Sequence, residues 1–155
     1  MKIKSFAIAM GGVALGICGC ATRTSLESIH LESCKELVAL HYIYKPNFAP
    51  IYYGEYMITP RKPDTNHGVY ENAIYKDELL PGTQAEISSI ILNKSPGWGN
   101  YLRMTVKILD GPHSGLVADV PMCAPYHSPI KWVPHCTLDP NRLQFNPDLV
   151  RPCDS

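Results

Sequence analysis

The sequence predicts a mainly β fold, and three features of its patterning and composition support that class. Within residues 81–121, short runs alternate apolar and polar side chains, which is the pattern of half-buried antiparallel strands. Turns that contain glycine or proline separate these runs, and proline is frequent along the chain, with 14 residues. Charged residues make up only 18% of the sequence, and runs suited to helices are few. We therefore expect strands and irregular loops rather than a helical bundle.

The strand predictions follow from period-two alternation. The run YLRMTVKIL, residues 101–109, places its apolar side chains on one face, and shorter runs at 81–92 and 116–121 complete a three-stranded meander. A further strand is expected over 36–45, which is rich in β-branched and aromatic residues. Residues 51–59 are expected to form an edge strand, because glycine and flanking prolines argue against a central position. Beyond residue 121 the proline-rich chain is expected to wrap over the domain as an irregular tail.

The meander resembles the small SH3-like barrels of bacterial envelope proteins. The residues that carry this resemblance are Gly82-Thr83 before a strand, the run Ile108–Pro112 that ends in Asp-Gly-Pro, and Gly115. The glycines permit a positive φ where the chain reverses, and Pro112 presets a turn dihedral. The resemblance implies a small antiparallel barrel, here with a C-terminal tail held by disulfides.

The first twenty residues have the layout of an export signal. Lys2 and Lys4 are followed by residues 6–17, which carry no polar side chain. This run fits the range of about 7–15 residues for the apolar region of a secretory signal and is shorter than the roughly 18 residues of a membrane span. An ordinary cleaved signal peptide and a buried apolar N-terminal helix remain the alternatives.

The end of this run, Ile17-Cys18-Gly19-Cys20, resembles the lipobox of a bacterial lipoprotein signal peptide. Cys20 fits the lipid-carrying position, because Gly19 before it is small, whereas Cys18 would follow the larger Ile17. The resemblance implies cleavage after Gly19, a diacylglycerol thioether on Cys20 and an acylated new amine. Several acyl chains anchor a protein stably, since each buried CH₂ contributes about 0.8 kcal/mol.

This interpretation divides the chain into three parts. Residues 1–19 are a cleaved signal peptide, residues 20–35 are the lipidated N-terminus and a tether, and residues 36–155 are a single mostly-β domain. Ala21 is not the Asp that commonly retains such proteins at the inner membrane, so the resemblance implies a lipid-anchored protein of the bacterial envelope, at the outer membrane. The whole sequence has no net charge, and nothing in it resembles the basic patch of a nucleic-acid-binding protein.

Four cysteines then remain for the domain, and an even number in an exported chain predicts disulfides. These are Cys34, Cys123, Cys136 and Cys153. Of the three possible pairings we favour Cys34–Cys153, which ties the two ends together, with Cys123–Cys136, which closes a proline-rich loop. A zinc site that uses the nearby histidines is the rival, but the spacings typical of structural zinc sites are absent. No metal and no cofactor are predicted.

Catalytic patterns are weak in this sequence. His113 and Ser114 are adjacent, but the nucleophile-elbow pattern is absent, and both are expected to be turn residues. Carboxylates such as Asp110, Asp119 and Asp77 are scattered, and solvated surface acids are the simplest interpretation. A carboxylate-based hydrolase stays an alternative, since glycosidases need only two such groups in proximity.

Aromatic residues offer the best candidates for partner contact. Seven tyrosines lie between residues 42 and 75, and about half of them are expected to fill the core of a small barrel. Trp98 stands between Gly97 and Gly99 in a predicted loop, so we expect it to be an exposed contact residue. We therefore predict a non-enzymatic binding or structural module whose partner is an envelope protein or a peptidoglycan-related molecule. The leading alternative is an inhibitor or immunity protein against an envelope-targeted enzyme or toxin.

Overall fold

The computed structural model describes residues 22–25, 34–47, 54–62, 71–95, 99–120, 122 and 130–154. The described chain is mainly β, as predicted, and its strands are β1 (Thr22–Ser25), β2 (Cys34–Leu37), β3 (His41–Lys45), β4 (Met57–Thr59), β5 (Ile74–Leu79), β6 (Gln84–Ser95), β7 (Gly99–Ile108), β8 (Val117–Val120) and β9 (Val150–Pro152). A single 3-10 turn, Pro140–Arg142, is the only helical element in these ranges. Within them, no helix has the length and apolar character needed to cross a membrane.

The strands form one mixed sheet in the order β5-β3-β4-β8-β7-β6-β2-β9. All neighbours in this order are antiparallel except β4 and β8, which meet in a parallel arrangement at Met57 and Asp119. The long strand β6 has two neighbours on the side away from β7. Its beginning pairs with β2, and its end pairs with β1.

The predicted meander is the centre of this sheet. Strands β6, β7 and β8 follow one another with antiparallel pairing, and β6 and β7 form a long hairpin from Ala85↔Ile108 to Ser95↔Gly99. The apolar face predicted for β7 is fully buried, and its members are Leu102, Met104, Val106 and Ile108. Alternation identified this face correctly, because one side of an antiparallel sheet packs on the core.

The sheet does not close into the small SH3-like barrel that was expected. Strands β5 and β9 stand at the two ends of the order, and they do not pair with each other. The core lies against one face of this open sheet, and Trp132 and Val133 of the C-terminal segment, residues 130–154, pack against it with fully buried side chains. Among the described strands, no hydrogen bonds close this sheet into a barrel, and an irregular segment of the chain packs on its core instead.

The C-terminal end of the described chain lies beside β2. Strand β9 pairs with β2, and a disulfide joins Cys34 to Cys153 with their Cα atoms 5.5 Å apart. The predicted irregular tail pinned by a disulfide is thus present in this part of the chain. In addition, β1 lies within residues 20–35, the segment that the sequence assigned to a tether, and it pairs with β6 as part of the sheet.

Candidate functional site

The predicted site residues fall into two groups. Cys20, Trp98 and Cys123 lie outside the described residues, so lipidation at Cys20, partner contact at Trp98 and the pairing of Cys123 stay predictions. Cys34 and Cys153 form the predicted disulfide across 119 residues of sequence. Cys136 is an exposed free cysteine in the structure, which does not agree with the predicted Cys123–Cys136 bridge.

A buried ion pair joins β7 to β8 and fixes the chain that leads into β4. Nε of Arg103 donates to both carboxylate oxygens of Asp119 at 2.9 Å, and Nη2 lies 2.8 Å from Oδ2. Both residues are at least nine-tenths buried. The same carboxylate accepts the backbone N–H of Gly54, and the backbone N–H of Asp119 donates to the carbonyl of Tyr56 at 2.9 Å. Because its oxygens are committed to these donors, Asp119 is a structural anchor and not the surface acid that the sequence suggested.

A second buried polar contact joins β3 to the C-terminal segment. Nε1 of Trp132 donates to Nε2 of His41 at 2.9 Å, while Nδ1 of His41 donates to the carbonyl of Ala39 at 2.8 Å. These bonds assign the neutral tautomer with its proton on Nδ1. Burial lowers the pKa of His41 to about 4, against a weaker opposing effect of the bond to Ala39. The imidazole is therefore a neutral core group rather than a surface ligand at pH 7.

The histidine and serine of the turn before β8 bond to different partners. Nε2 of His113 lies 2.8 Å from Oδ2 of Asp77, and the hydroxyl of Ser114 donates to the carbonyl of Leu109 at 2.9 Å. The backbone N–H of Glu78 and the His113 side chain lower the pKa of Asp77. The first bond joins the turn to β5 and the second lies within the turn itself, so His113 and Ser114 are turn residues, as the sequence predicted.

Strand β5 presents an exposed surface at one end of the sheet. Strand β5 pairs with β3, and none of the other described strands pairs with it. Five of its six residues are exposed, including Ile74 and Tyr75, which are 56% and 43% exposed. The ring of Tyr75 packs edge-on against buried Tyr44 with 5.6 Å between centroids, and Nζ of Lys62 lies 5.6 Å from the Tyr75 centroid. We call Lys62, Ile74 and Tyr75 the edge patch.

A shallow cleft of about 480 Å³ lies in the C-terminal segment and is lined by residues 135–137 and 141–144. It contains the free thiol of Cys136 together with His135 and Arg142. All of its walls come from one short stretch of chain, and the rest of the described sheet contributes nothing to it. Within the ranges that the structure describes, no three His, Cys, Asp or Glu side chains are grouped so that they could hold a metal ion.

No protein-family model matches this chain, and no curated protein sequence or solved structure is similar enough to count as a match. The function therefore has to be inferred from the geometry and the chemistry of its own residues.

Proposed function

We propose that this chain is a lipid-anchored protein of the bacterial envelope and that its domain is a non-enzymatic module which binds another envelope protein. The anchor in this proposal is Cys20, acylated after cleavage at Gly19. The observation that supports an envelope location is the Cys34–Cys153 disulfide, because disulfides persist in exported proteins and are rare in the reducing cytosol. A lipobox and a disulfide in the same chain point to the same compartment.

The open edge of β5 supports a binding role. An edge strand presents unpaired backbone N–H and C=O groups, and an extended segment of a partner can add to it as a further strand. The edge patch supplies apolar and aromatic contact area beside this edge, and tyrosine is enriched in protein interfaces. Lys76, Asp77 and Glu78 place charges along the same strand, which disfavours uncontrolled pairing between copies. The proposed occupant is therefore an extended segment of a different envelope protein.

We also propose that the meander of β6, β7 and β8 is related to SH3-like domains, which would favour a binding role. Gly111 and Gly115 adopt φ values of 70° and 90° at the reversal between β7 and β8, which is the use that the resemblance assigned to them. SH3-like barrels often bind their partners through an aromatic groove. The edge patch offers an aromatic surface even though the sheet is open.

The test combines intact mass with crosslinking in native envelopes. Protein extracted with detergent is expected to lack residues 1–19, to carry acyl chains, and to show the Cys34 and Cys153 thiols only after reduction. In parallel, a photo-crosslinker on the outer side of β5 is expected to capture one protein in unmodified chains. Ile74→Lys should abolish this capture, and Val117→Lys, a matched change at a residue 49% exposed on β8, should not.

Each outcome decides part of the proposal. A full-length mass without acyl chains overturns the lipid anchor, and equal capture by the two lysine variants overturns the β5 edge as the binding surface. If the captured protein is an envelope hydrolase that loses activity in the complex, the module is an inhibitor.

A further inference from the structure

The pairing of β1 with β6 connects the N-terminus to one particular end of the long hairpin. Thr22 is opposite Lys94, and Ser25 is opposite Ile91, so the N-terminal end of β1 lies beside the closed end of the β6–β7 hairpin. At that end, Ser95 is opposite Gly99. The disulfide lies at the other end of the same strand, where Cys34 is opposite Glu86.

The length of the intervening chain limits how far a lipid on Cys20 can be from this end. Cys20 precedes Thr22 by two residues, and two extended residues span at most about 7 Å. Paired residues of adjacent antiparallel strands are about 5 Å apart, so a lipid at Cys20 attaches within about 12 Å of Lys94. Glu86 is eight residues further along β6, or about 26 Å at the rise of a strand. An anchor at Cys20 therefore cannot hold both ends of the hairpin equally close to a bilayer.

The charges at the closed end match a membrane surface. Residues 22–25, 91–95 and 99–102 include Arg23 and Lys94 and contain no Asp or Glu. At the opposite end, Glu36, Glu86 and Asp110 are balanced by three basic residues, Lys35, Lys107 and Arg151. Lys107 is opposite Glu86, and Nη2 of Arg151 lies 2.7 Å from Oε1 of Glu36, so these charges cancel. Basic residues are attracted to an anionic leaflet, so the closed end, whose charges are basic only, is the electrostatically favoured side.

We propose that the closed end of the β6–β7 hairpin, with β1 beside it, rests on the headgroups of an anionic bilayer, and that the Cys34–Cys153 end faces away from the membrane. This inference rests on the proposed lipid anchor at Cys20. It adds a fixed orientation, because β1 is part of the sheet and only two residues separate it from the lipid. A long free tether would let the domain rotate relative to the membrane, whereas the short connection between Cys20 and β1 limits this rotation.

Quenching of introduced tryptophans tests the orientation. The lipidated full-length protein, in a Trp98→Phe background, is reconstituted into vesicles of phosphatidylethanolamine and phosphatidylglycerol that contain a headgroup-nitroxide lipid. One variant carries Lys94→Trp and the other carries Glu86→Trp, both at exposed positions of β6. Trp132 is fully buried and gives the same background signal in both. The Lys94→Trp protein is expected to lose much more fluorescence than the Glu86→Trp protein.

A third variant and a flotation control complete the experiment. Asn100→Trp, opposite Lys94 on β7, repeats the measurement at the closed end without removing the lysine. Equal quenching at both ends, or stronger quenching at Glu86→Trp, overturns the orientation while the anchor stands. If the protein does not float with vesicles, and the Cys20→Ser form behaves identically, the anchor fails and the orientation fails with it.

Discussion

The indole N–H of Trp132 and the imidazole of His41 form a hydrogen bond between two fully buried side chains, with 2.9 Å between Nε1 and Nε2. The rings meet nearly at right angles, with an interplanar angle of 86° and 5.8 Å between centroids. Because His41 also donates to Ala39, both of its ring nitrogens are satisfied. This contact joins β3 to the irregular C-terminal segment, which has no strand pairing of its own until β9.

The stability of the fold is expected to fall as the pH decreases from about 6.5 to about 4. The pKa of His41 is lowered from 6.5 to about 4 by burial, so between these values the unfolded chain binds a proton that the folded chain does not. Above pH 6.5 the imidazole is neutral in both the folded and the unfolded chain, so it does not change the free energy of unfolding with pH. The full loss corresponds to about 3 kcal/mol below pH 4, since each pKa unit is worth about 1.4 kcal/mol. Urea unfolding at a series of pH values measures this slope.

Two variants assign the slope to its residue. His41→Gln should remove the decrease between pH 6.5 and 4, and His113→Gln, at the histidine that bonds Asp77, should keep it. If His41→Gln does not fold, the imidazole pKa measured by NMR in the unmodified protein replaces it. A pKa near 6.5 for His41 would contradict the prediction.

Trp132→Phe is expected to destabilise the fold by about 1–3 kcal/mol, because it leaves the Nε2 acceptor of His41 buried without a donor. Leu138→Ala is the control in the same segment. Leu138 is 49% exposed, so its truncation should change stability by no more than about 0.5 kcal/mol. Thermal unfolding of both variants measures the difference, and similar losses would mean that the Trp132 bond contributes nothing specific.

The parts of the fold that the sequence predicted well are those with strong alternation. The meander, the buried face of β7 and the glycines of its turn all follow from local patterns that the structure keeps. The predicted strand at 36–45 is instead divided into β2 and β3 by a break at 38–40, and each half pairs with different partners. Strand β4, expected at an edge, is flanked by β3 and β8. Local patterns do not specify such long-range pairings.

The polar contacts of the core could not be predicted from the sequence. Arg103 lies on the face of β7 that alternation assigned to solvent, and it is buried because Asp119 on β8 neutralises it. His41 and Trp132 are separated by 91 residues, and no spacing rule relates them. No strand is predicted at β5 from the sequence, because the charged run at 76–78 follows Ile74 and Tyr75, the two residues of this strand that favour β structure.

Asp119→Asn is expected to destabilise the protein by about 3–5 kcal/mol, since it leaves the buried Arg103 guanidinium without its counter-charge. Glu55→Gln is the matched control, because it removes the charge from an exposed pair with Lys45 and should cost less than about 1 kcal/mol. The double variant Arg103→Met/Asp119→Leu should recover part of the loss, as no buried charge remains. Denaturant unfolding of all three variants is the measurement, and a single-variant loss as small as the control's would contradict the prediction.

Trp98→Ala is expected to leave the unfolding temperature almost unchanged and to weaken contact with the partner that Trp98 touches. Trp98 immediately precedes Gly99 in the sequence, so under the proposed orientation we expect that partner to be the lipid surface. Vesicle binding of the lipidated protein should weaken, while capture at the β5 edge should persist. A large loss of stability would instead identify Trp98 as a core residue.

Removal of the disulfide by the double change Cys34→Ser/Cys153→Ser is expected to cost about 3–5 kcal/mol, because the bond closes a loop of more than a hundred residues in the unfolded chain. The change also frees β9 from a covalent link, so its pairing with β2 should weaken first. Hydrogen exchange at the backbone N–H of Val38, which donates to the carbonyl of Leu149 beside this pairing, reports on it, and thermal unfolding reports on the whole domain. Cys136→Ser is the control, because an exposed free thiol crosslinks nothing and its loss should leave both measurements unchanged. If Cys136→Ser lowers the stability as much as the double change does, Cys136 is bonded in the native protein and the predicted bridge to Cys123 forms after all.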